Sequence, residues 1–361
     1  MFLKKYTKNL RSLFTIFAVL ATAIAMLWLG ANTFTTNAQT SRGTLFDFTG
    51  NGRTDWTTLA FPAATGQPIT WKVLGNPANP APNAAFIRIF DYGIRNNSII
   101  AGDFIGDNKT DLAVYRSGSQ SIFYVAQFPN GSGGITLDRA VQWGTSAGAD
   151  NPNVSGDYDG DGKLDYTVVR TVNNNFVWYI LSSSTNAMRA INFGTRTGAA
   201  GSVRLYGADF TGDGRDELVF FTFDVARTIT YYIGDAVTGA GVITRNWGNF
   251  NSDISLSPAD YTGDGKADFV AVRQTTSQAI WYINNSATNA ATGTGFGIGD
   301  PGFSNNDRPV RGDYDGDGKH DIAVWRPSNQ TFYVLGSTDG GLIGQKWGDA
   351  GDGPLGASGT F

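Results

Sequence analysis

One nine-residue segment, built on aspartate and glycine, recurs six times along this 361-residue chain. The copies occupy residues 47–55, 103–111, 157–165, 209–217, 260–268 and 313–321, with first aspartates 51 to 56 residues apart. The third reads Asp-Tyr-Asp-Gly-Asp-Gly-Lys-Leu-Asp, and its positions are numbered 1 to 9 below. Recurrence at this period means that one supersecondary unit is stacked upon itself. A β-rich apolar run follows the loop, such as Phe-Val-Ala-Val-Arg over 269–273, then a polar turn and a second run, such as Ile-Trp-Tyr-Ile over 280–283. A third run ends on an aromatic residue and a glycine: Tyr92-Gly93, Trp143-Gly144, Phe193-Gly194, Trp247-Gly248, Phe296-Gly297 and Trp347-Gly348. A fourth short strand leads into the next loop.

Helical periodicity is missing after residue 40, so helical solenoids are excluded. Four short strands per repeat fit the blade of a propeller. The expected fold is therefore all-β: a β-propeller of six four-stranded blades spanning residues 39–361. Residues 354–361 read as the lead-in strand of a further unit. Six blades with that tail docked at the closure is the expected arrangement, and a seven-fold ring is its rival.

The loops carry the chemistry. In the third, Asp157, Asp159, Asp161 and Asp165 crowd four carboxylates into nine residues, an arrangement that repels itself unless a cation neutralises it. Side chains at positions 1, 3, 5 and 9, with the carbonyl of Lys163 at position 7, make an oxygen cage of the kind that takes Ca²⁺. The sixth loop repeats the pattern with Asp313, Asp315, Asp317, Lys319 and Asp321. The fifth offers Asp260, Thr262, Asp264 and Asp268, and the fourth Asp209, Thr211, Asp213 and Glu217. The first has Asp47, Thr49, Asn51 and Asp55. The second keeps Asp103, Asp107 and Asp111 but has Ile105 at position 3 and Asn108 in place of the second glycine. Up to six calcium ions are expected, with the third, fifth and sixth loops strongest. An EF-hand is excluded, because position 12 holds Val168 and Val324 where a glutamate is required.

Aspartate supplies 30 of the 31 acidic residues, and cysteine is absent. Disulfides and thiol chemistry are therefore excluded. The single histidine, His320, excludes multi-histidine metal sites. Residues 1–38 combine Lys4, Lys5, Lys8 and Arg11 with an apolar run over 13–29 and end on Thr-Asn-Ala, the pattern of a signal peptide or an N-terminal anchor. The rest holds 23 basic and 31 acidic side chains, a net charge of −8. That argues against a nucleic-acid partner. The body of the protein is expected outside the cytoplasm, secreted or in the cell envelope, with no further membrane span.

These residues resemble the FG-GAP/VCBS repeat family, the calcium-binding propeller repeats shared with the head of integrin α subunits. The aromatic-glycine pairs correspond to the FG, Gly353-Pro354 and more loosely Arg308-Pro309 to the GAP, and the aspartate loop to the calcium site. The resemblance implies a propeller and calcium; such folds serve adhesion, glycan binding and scaffolding. The expected function is a secreted binding or adhesion module for an extracellular protein or glycan, with no catalytic residues. The alternatives are a lectin with sugars stacked on exposed tryptophans and a glycan lyase or hydrolase using aspartates outside the loops. Three insertions read as surface loops suited to recognition: residues 76–83, 129–134 and 287–302. The tryptophans of the Trp-Gly pairs are expected between blades, where a large ring rather than an indole is needed. Arg116, Arg170, Arg273 and Arg326 are expected to pair with neighbouring acids or carbonyls.

Overall fold

A computed structural model describes residues 44–77, 87–129, 135–196, 203–299 and 307–357. Blade one holds β1 (Trp56–Ala60), β2 (Pro68–Leu74) and β3 (Ile87–Ile94), and blade two β4 (Ser98–Ile99), β5 (Leu112–Arg116), β6 (Ile122–Gln127) and β7 (Thr136–Gln142). Blade three holds β8 (Tyr166–Val172), β9 (Asn175–Leu181) and β10 (Met188–Thr195). Blade four has β11 (Arg204–Ala208), β12 (Glu217–Phe223), β13 (Thr228–Gly234) and β14 (Gly241–Asn249). Blade five has β15 (Asp253–Ser255), β16 (Phe269–Gln274), β17 (Gln278–Asn284) and β18 (Ala291–Ile298). Blade six has β19 (Arg308–Val310), β20 (Ile322–Arg326), β21 (Thr331–Leu335) and β22 (Leu342–Lys346), and β23 (Gly353–Pro354) follows.

Neighbouring strands are antiparallel, in the order of the chain within each sheet. The short lead-in strand before each loop forms one edge, facing the propeller axis, and the last strand of the blade forms the outer rim. Burial follows that order: β16 is almost wholly buried, β17 alternates, and β18 is mostly exposed.

Because each lead-in strand belongs to the blade after it, the first blade needs one from elsewhere. β23 provides it, pairing Pro354 with Thr58 and Gly353 with Leu59, while the N–H of Leu355 donates to the carbonyl of Thr57. The ring therefore closes at six blades, with the tail docked as expected, and the seven-fold alternative is excluded. Residues 358–361 of that tail lie outside the described residues.

Blade three departs from the expected four strands. Its sheet has three, and the lead-in position is reduced to a single bridge between Asn151 and Val169. The cause is local: Asn153 N–H turns back onto the Asn151 side chain across Pro152, and this Asx turn takes the chain out of the ladder.

Large rings fill the spaces between blades. Tyr314 stacks on Trp56 with centroids 4.7 Å apart, Phe104 on Tyr166 at 5.2 Å, and Phe210 meets Phe269 at 4.9 Å. In each case the aromatic residue at position 2 of one loop packs on the residue directly after the next loop.

Parts of the expected recognition loops, residues 78–83, 130–134 and 300–302, lie outside the described residues, as does the expected signal segment. Half of the third insertion is a strand instead of a surface loop, since Ala291–Ile298 is β18, paired along β17. Its small Ala, Gly and Thr residues hid a rim strand that needs no apolar face. Among the described residues, no helix is long and apolar enough to cross a membrane.

Candidate metal centres

Each loop is templated by its own carboxylates. The position-1 side chain accepts the N–H groups of positions 4 and 6 in all six copies; in the third, Gly160 and Gly162 donate to Asp157 at 2.7 and 2.9 Å. Position 5 accepts the N–H of position 7, and position 9 accepts the N–H of position 2. The glycines at positions 4 and 6 sit at φ between 74° and 89°, a region that side chains rarely enter. Asn108 holds φ 60° in the second loop, so the turn survives the lost glycine. The first loop, poorest in carboxylates, and the second, without an oxygen ligand at position 3, therefore keep the same backbone shape as the rest.

Three loops bring carboxylates together tightly enough to share an ion. Asp157, Asp159 and Asp165 offer oxygens within 4.8 Å of one another, as do Asp209, Asp213 and Glu217, and Asp313, Asp315 and Asp321. All-oxygen donor sets of this size and charge fit Ca²⁺. The expected ranking changes in one place, because the fourth loop forms such a cluster and the fifth does not. In the fifth, Asn285 Nδ2 donates to Asp264 Oδ2 and to Thr262 Oγ1, both at 2.7 Å, and so engages the ligands at positions 3 and 5. Asp161 and Asp317 stand outside their clusters, and Asp317 is bound by Ser337, Thr338 and Lys319.

Position 9 is the buried anchor of each site. Burial pushes the carboxyls of Asp55, Asp111, Asp165 and Glu217 up to about 7, and those of Asp268 and Asp321 to about 6. Neighbouring loop carboxylates add to the shift. A bound cation supplies the charge that lets these groups ionise without mutual repulsion.

The loops are also wired to one another. The position-8 N–H of each loop donates to the position-1 carbonyl of the loop before it: Thr110 to Asp47, Leu164 to Asp103, Asp216 to Asp157, Ala267 to Asp209 and His320 to Asp260, at 2.6 to 2.7 Å. Thr54 donates to Asp313 at 2.7 Å and completes the circle. The basic residue at position 7 lies over the position-4 glycine of the preceding loop, where a Cβ at Gly106 would meet Lys163 and one at Gly263 would meet Lys319. Lys163 and Lys319, singled out for their carbonyls, thus also clamp the neighbouring site.

An FG-GAP-like repeat model matches residues 157–220, 209–271 and 260–324, covering the third to sixth loops and the strands after them. These are FG-GAP-like repeats. No curated protein matches the chain. Among solved structures it overlays TolB from Acinetobacter baumannii with a TM-score of 0.48 at 14% identity, covering 82% of this chain and 64% of that one. A Photorhabdus luminescens Tc holotoxin pore structure gives 0.46 at 14% identity, over 77% of this chain and 14% of that one. An exo-β-1,3-galactanase from Phanerochaete chrysosporium gives 0.32 at 9% identity, over 82% and 89%.

The FG positions of these repeats act as joints between blades. The indole N–H of Trp143 donates to the carbonyl of Tyr179, that of Trp247 to Tyr282, and that of Trp347 to Lys72, each in the next blade. A second set of indoles donates within the blade: buried Trp71, Trp178, Trp281 and Trp325 donate to the carbonyls of Tyr92, Phe193, Phe296 and Trp347, so blade six carries both bonds. The tryptophans of the Trp-Gly pairs sit between blades as expected, half-buried, and each adds an indole hydrogen bond to the ring that Tyr92, Phe193 and Phe296 supply at the same position.

Three of the four repeat arginines find a carboxylate: Arg170 pairs with Asp150, Arg273 with Asp253 and Arg326 with Asp307, at 2.7 to 2.8 Å. Arg116 instead lies over the Tyr124 ring at 4.9 Å. The partner aspartates also accept the N–H of Thr145, Asn249 and Ile298 at the end of the preceding blade. Sequence reasoning missed them as joints, although each precedes its arginine by 19 or 20 residues, a constant offset that marks them.

Proposed function

We propose that this chain is a calcium-stabilised propeller that works outside the cytoplasm as a binding module for a protein or a glycan, and that it is not an enzyme. The observation that carries this reading is the closed circle of six loops, in which three carboxylate clusters are joined through the backbone of their own ligands. Calcium in such loops is architectural, fixing one rim of the propeller and leaving the surface loops free for recognition. The aspartates outside the loops that pair with arginines are committed to joining blades, which favours binding over acid–base chemistry. None of the described tryptophans is exposed, so a lectin built on indole platforms is the weaker form of the proposal.

The test is to load the purified protein with calcium, count bound ions, and present it to a glycan array and to polysaccharides in solution. The expected result is three or more ions per chain and retention of a ligand without turnover. Released sugar would overturn the binding-module reading, and a metal count of zero would overturn the calcium reading.

A further inference from the structure

We propose that the propeller axis, where blades five and six meet the circle of loops, holds a small oxyanion between Arg311, Tyr261 and His320. Arg311 directly follows β19, the lead-in strand of blade six, and is half-buried. No hydrogen bond or ion pair joins its guanidinium to a described residue, and the ladder that pairs Val310 with Ala323 and bonds the Asp321 N–H to the Gly312 carbonyl sets Arg311 beside the His320 end of the sixth loop. Arg170, Arg273 and Arg326, by contrast, each have a bidentate aspartate.

Two further polar groups end here without a partner. Tyr261 is 8% exposed, and its hydroxyl is buried without a hydrogen bond. His320 Nε2 is likewise sealed and unpartnered, and its ring stands 5.5 Å from that of Tyr261. The guanidinium offers N–H groups only, the phenol an O–H, and the imidazole, as its Nε2–H tautomer, an N–H. Water could fill some of these bonds but would leave the positive charge uncompensated in a poorly solvated place. A carboxylate or sulfate-like group answers both needs, with a forked contact to the guanidinium. The carboxylates of the adjoining loops, Asp268 and Asp321, are held by backbone N–H groups of their own loops.

His320 is the single histidine of the chain, so its ring signals report on the site without assignment. The experiment titrates tag-free, calcium-loaded protein with sulfate and, separately, with acetate, at ionic strength held constant with chloride, and repeats both without added calcium. A saturable movement of the histidine ring resonances is expected, and the stronger of the two anions tells a tetrahedral from a planar ligand. Arg311→Met should weaken binding at least about tenfold and Tyr261→Phe several-fold, since bonds to a charged ligand are the strong ones. No saturable movement in the wild-type protein, or equal affinity in Arg311→Met, would overturn the site. Should Arg311→Met fail to fold, Tyr261→Phe decides: it keeps the ring and deletes the hydroxyl, and unchanged affinity there would also overturn the proposal. Calcium counting on the same samples separates failure of this site from failure of the metal centres.

Discussion

Thr54 and Asp313 exchange hydrogen bonds across the closure of the ring. The N–H of Thr54 donates to the carbonyl of Asp313 at 2.7 Å, and the Thr54 hydroxyl accepts the N–H of Asp313 at 2.9 Å. Both residues are buried. Thr54→Val should leave the Asp313 N–H without an acceptor and cost about 1–3 kcal/mol, whereas Thr54→Ser, which keeps the hydroxyl, should cost less. Urea unfolding of the calcium-loaded protein compares the two, and equal stabilities would show that the exchange contributes nothing.

Calcium should raise the melting temperature through the third, fourth and sixth loops. At millimolar calcium, sites of the affinity usual for extracellular modules contribute about 0.4–1.4 kcal/mol each by mass action. Asp159→Ala or Asp315→Ala should lower the melting temperature in calcium and leave it unchanged or raised in chelator, where one repelling charge has gone. Asp264→Ala should matter less, because Asn285 already engages that side chain. Thermal scans with and without chelator check the order.

The buried carboxyls set a pH dependence. Asp165 and Glu217 are raised by burial to about 7 in the folded, metal-free chain, from about 4 when unfolded. A group raised on folding stabilises the fold while protonated, and that stabilisation fades as pH climbs from the unfolded value through the folded one. Metal-free protein should therefore lose stability between about pH 4 and pH 7. The ionised form is the one that binds calcium, so the rise in melting temperature on adding calcium should grow across the same window. A calcium effect larger at pH 5 than at pH 7.5 would contradict this.

Trp247→Phe keeps a large ring and deletes one donor, the indole N–H held by the Tyr282 carbonyl at 3.3 Å. A loss of about 0.5–1.5 kcal/mol is expected. Trp143→Phe should match it, and denaturant midpoints read both. If neither substitution moves the midpoint, ring volume alone is what the joint requires.

The blades were legible because aspartates, glycines and aromatic pairs recur at a period that only a stacked unit explains, and the closure was legible because the sequence after the sixth blade reads as a further lead-in, which β23 supplies at Gly353–Pro354. The links between loops were not. They run from backbone N–H to backbone carbonyl, as between Leu164 and Asp103, and leave no mark on side-chain identity. The loss of the fifth cluster was hidden for another reason: Asn285, which engages Asp264, lies on the far side of a hairpin, 21 residues away. Arg311 and Tyr261 went unremarked because one is a lone cation after a three-residue strand and the other stands where every loop has an aromatic ring.

The indole donors Trp143, Trp247 and Trp347 serve only the junctions from blade two to three, four to five and six to one. Those same three junctions carry the ring contacts of Phe104 with Tyr166, Phe210 with Phe269 and Tyr314 with Trp56. Trp71, Trp178 and Trp281 recur 107 and 103 residues apart, at twice the blade period. The other three junctions have no such indole bond but carry rings of their own: Phe48 with Phe128, Phe176 with Phe220 and Tyr261 with His320. Aromatic packing is thus common to all six seams, and the indole bond is an addition made at every second one. An odd blade inserted into such a ring would break that alternation at one seam while keeping its rings.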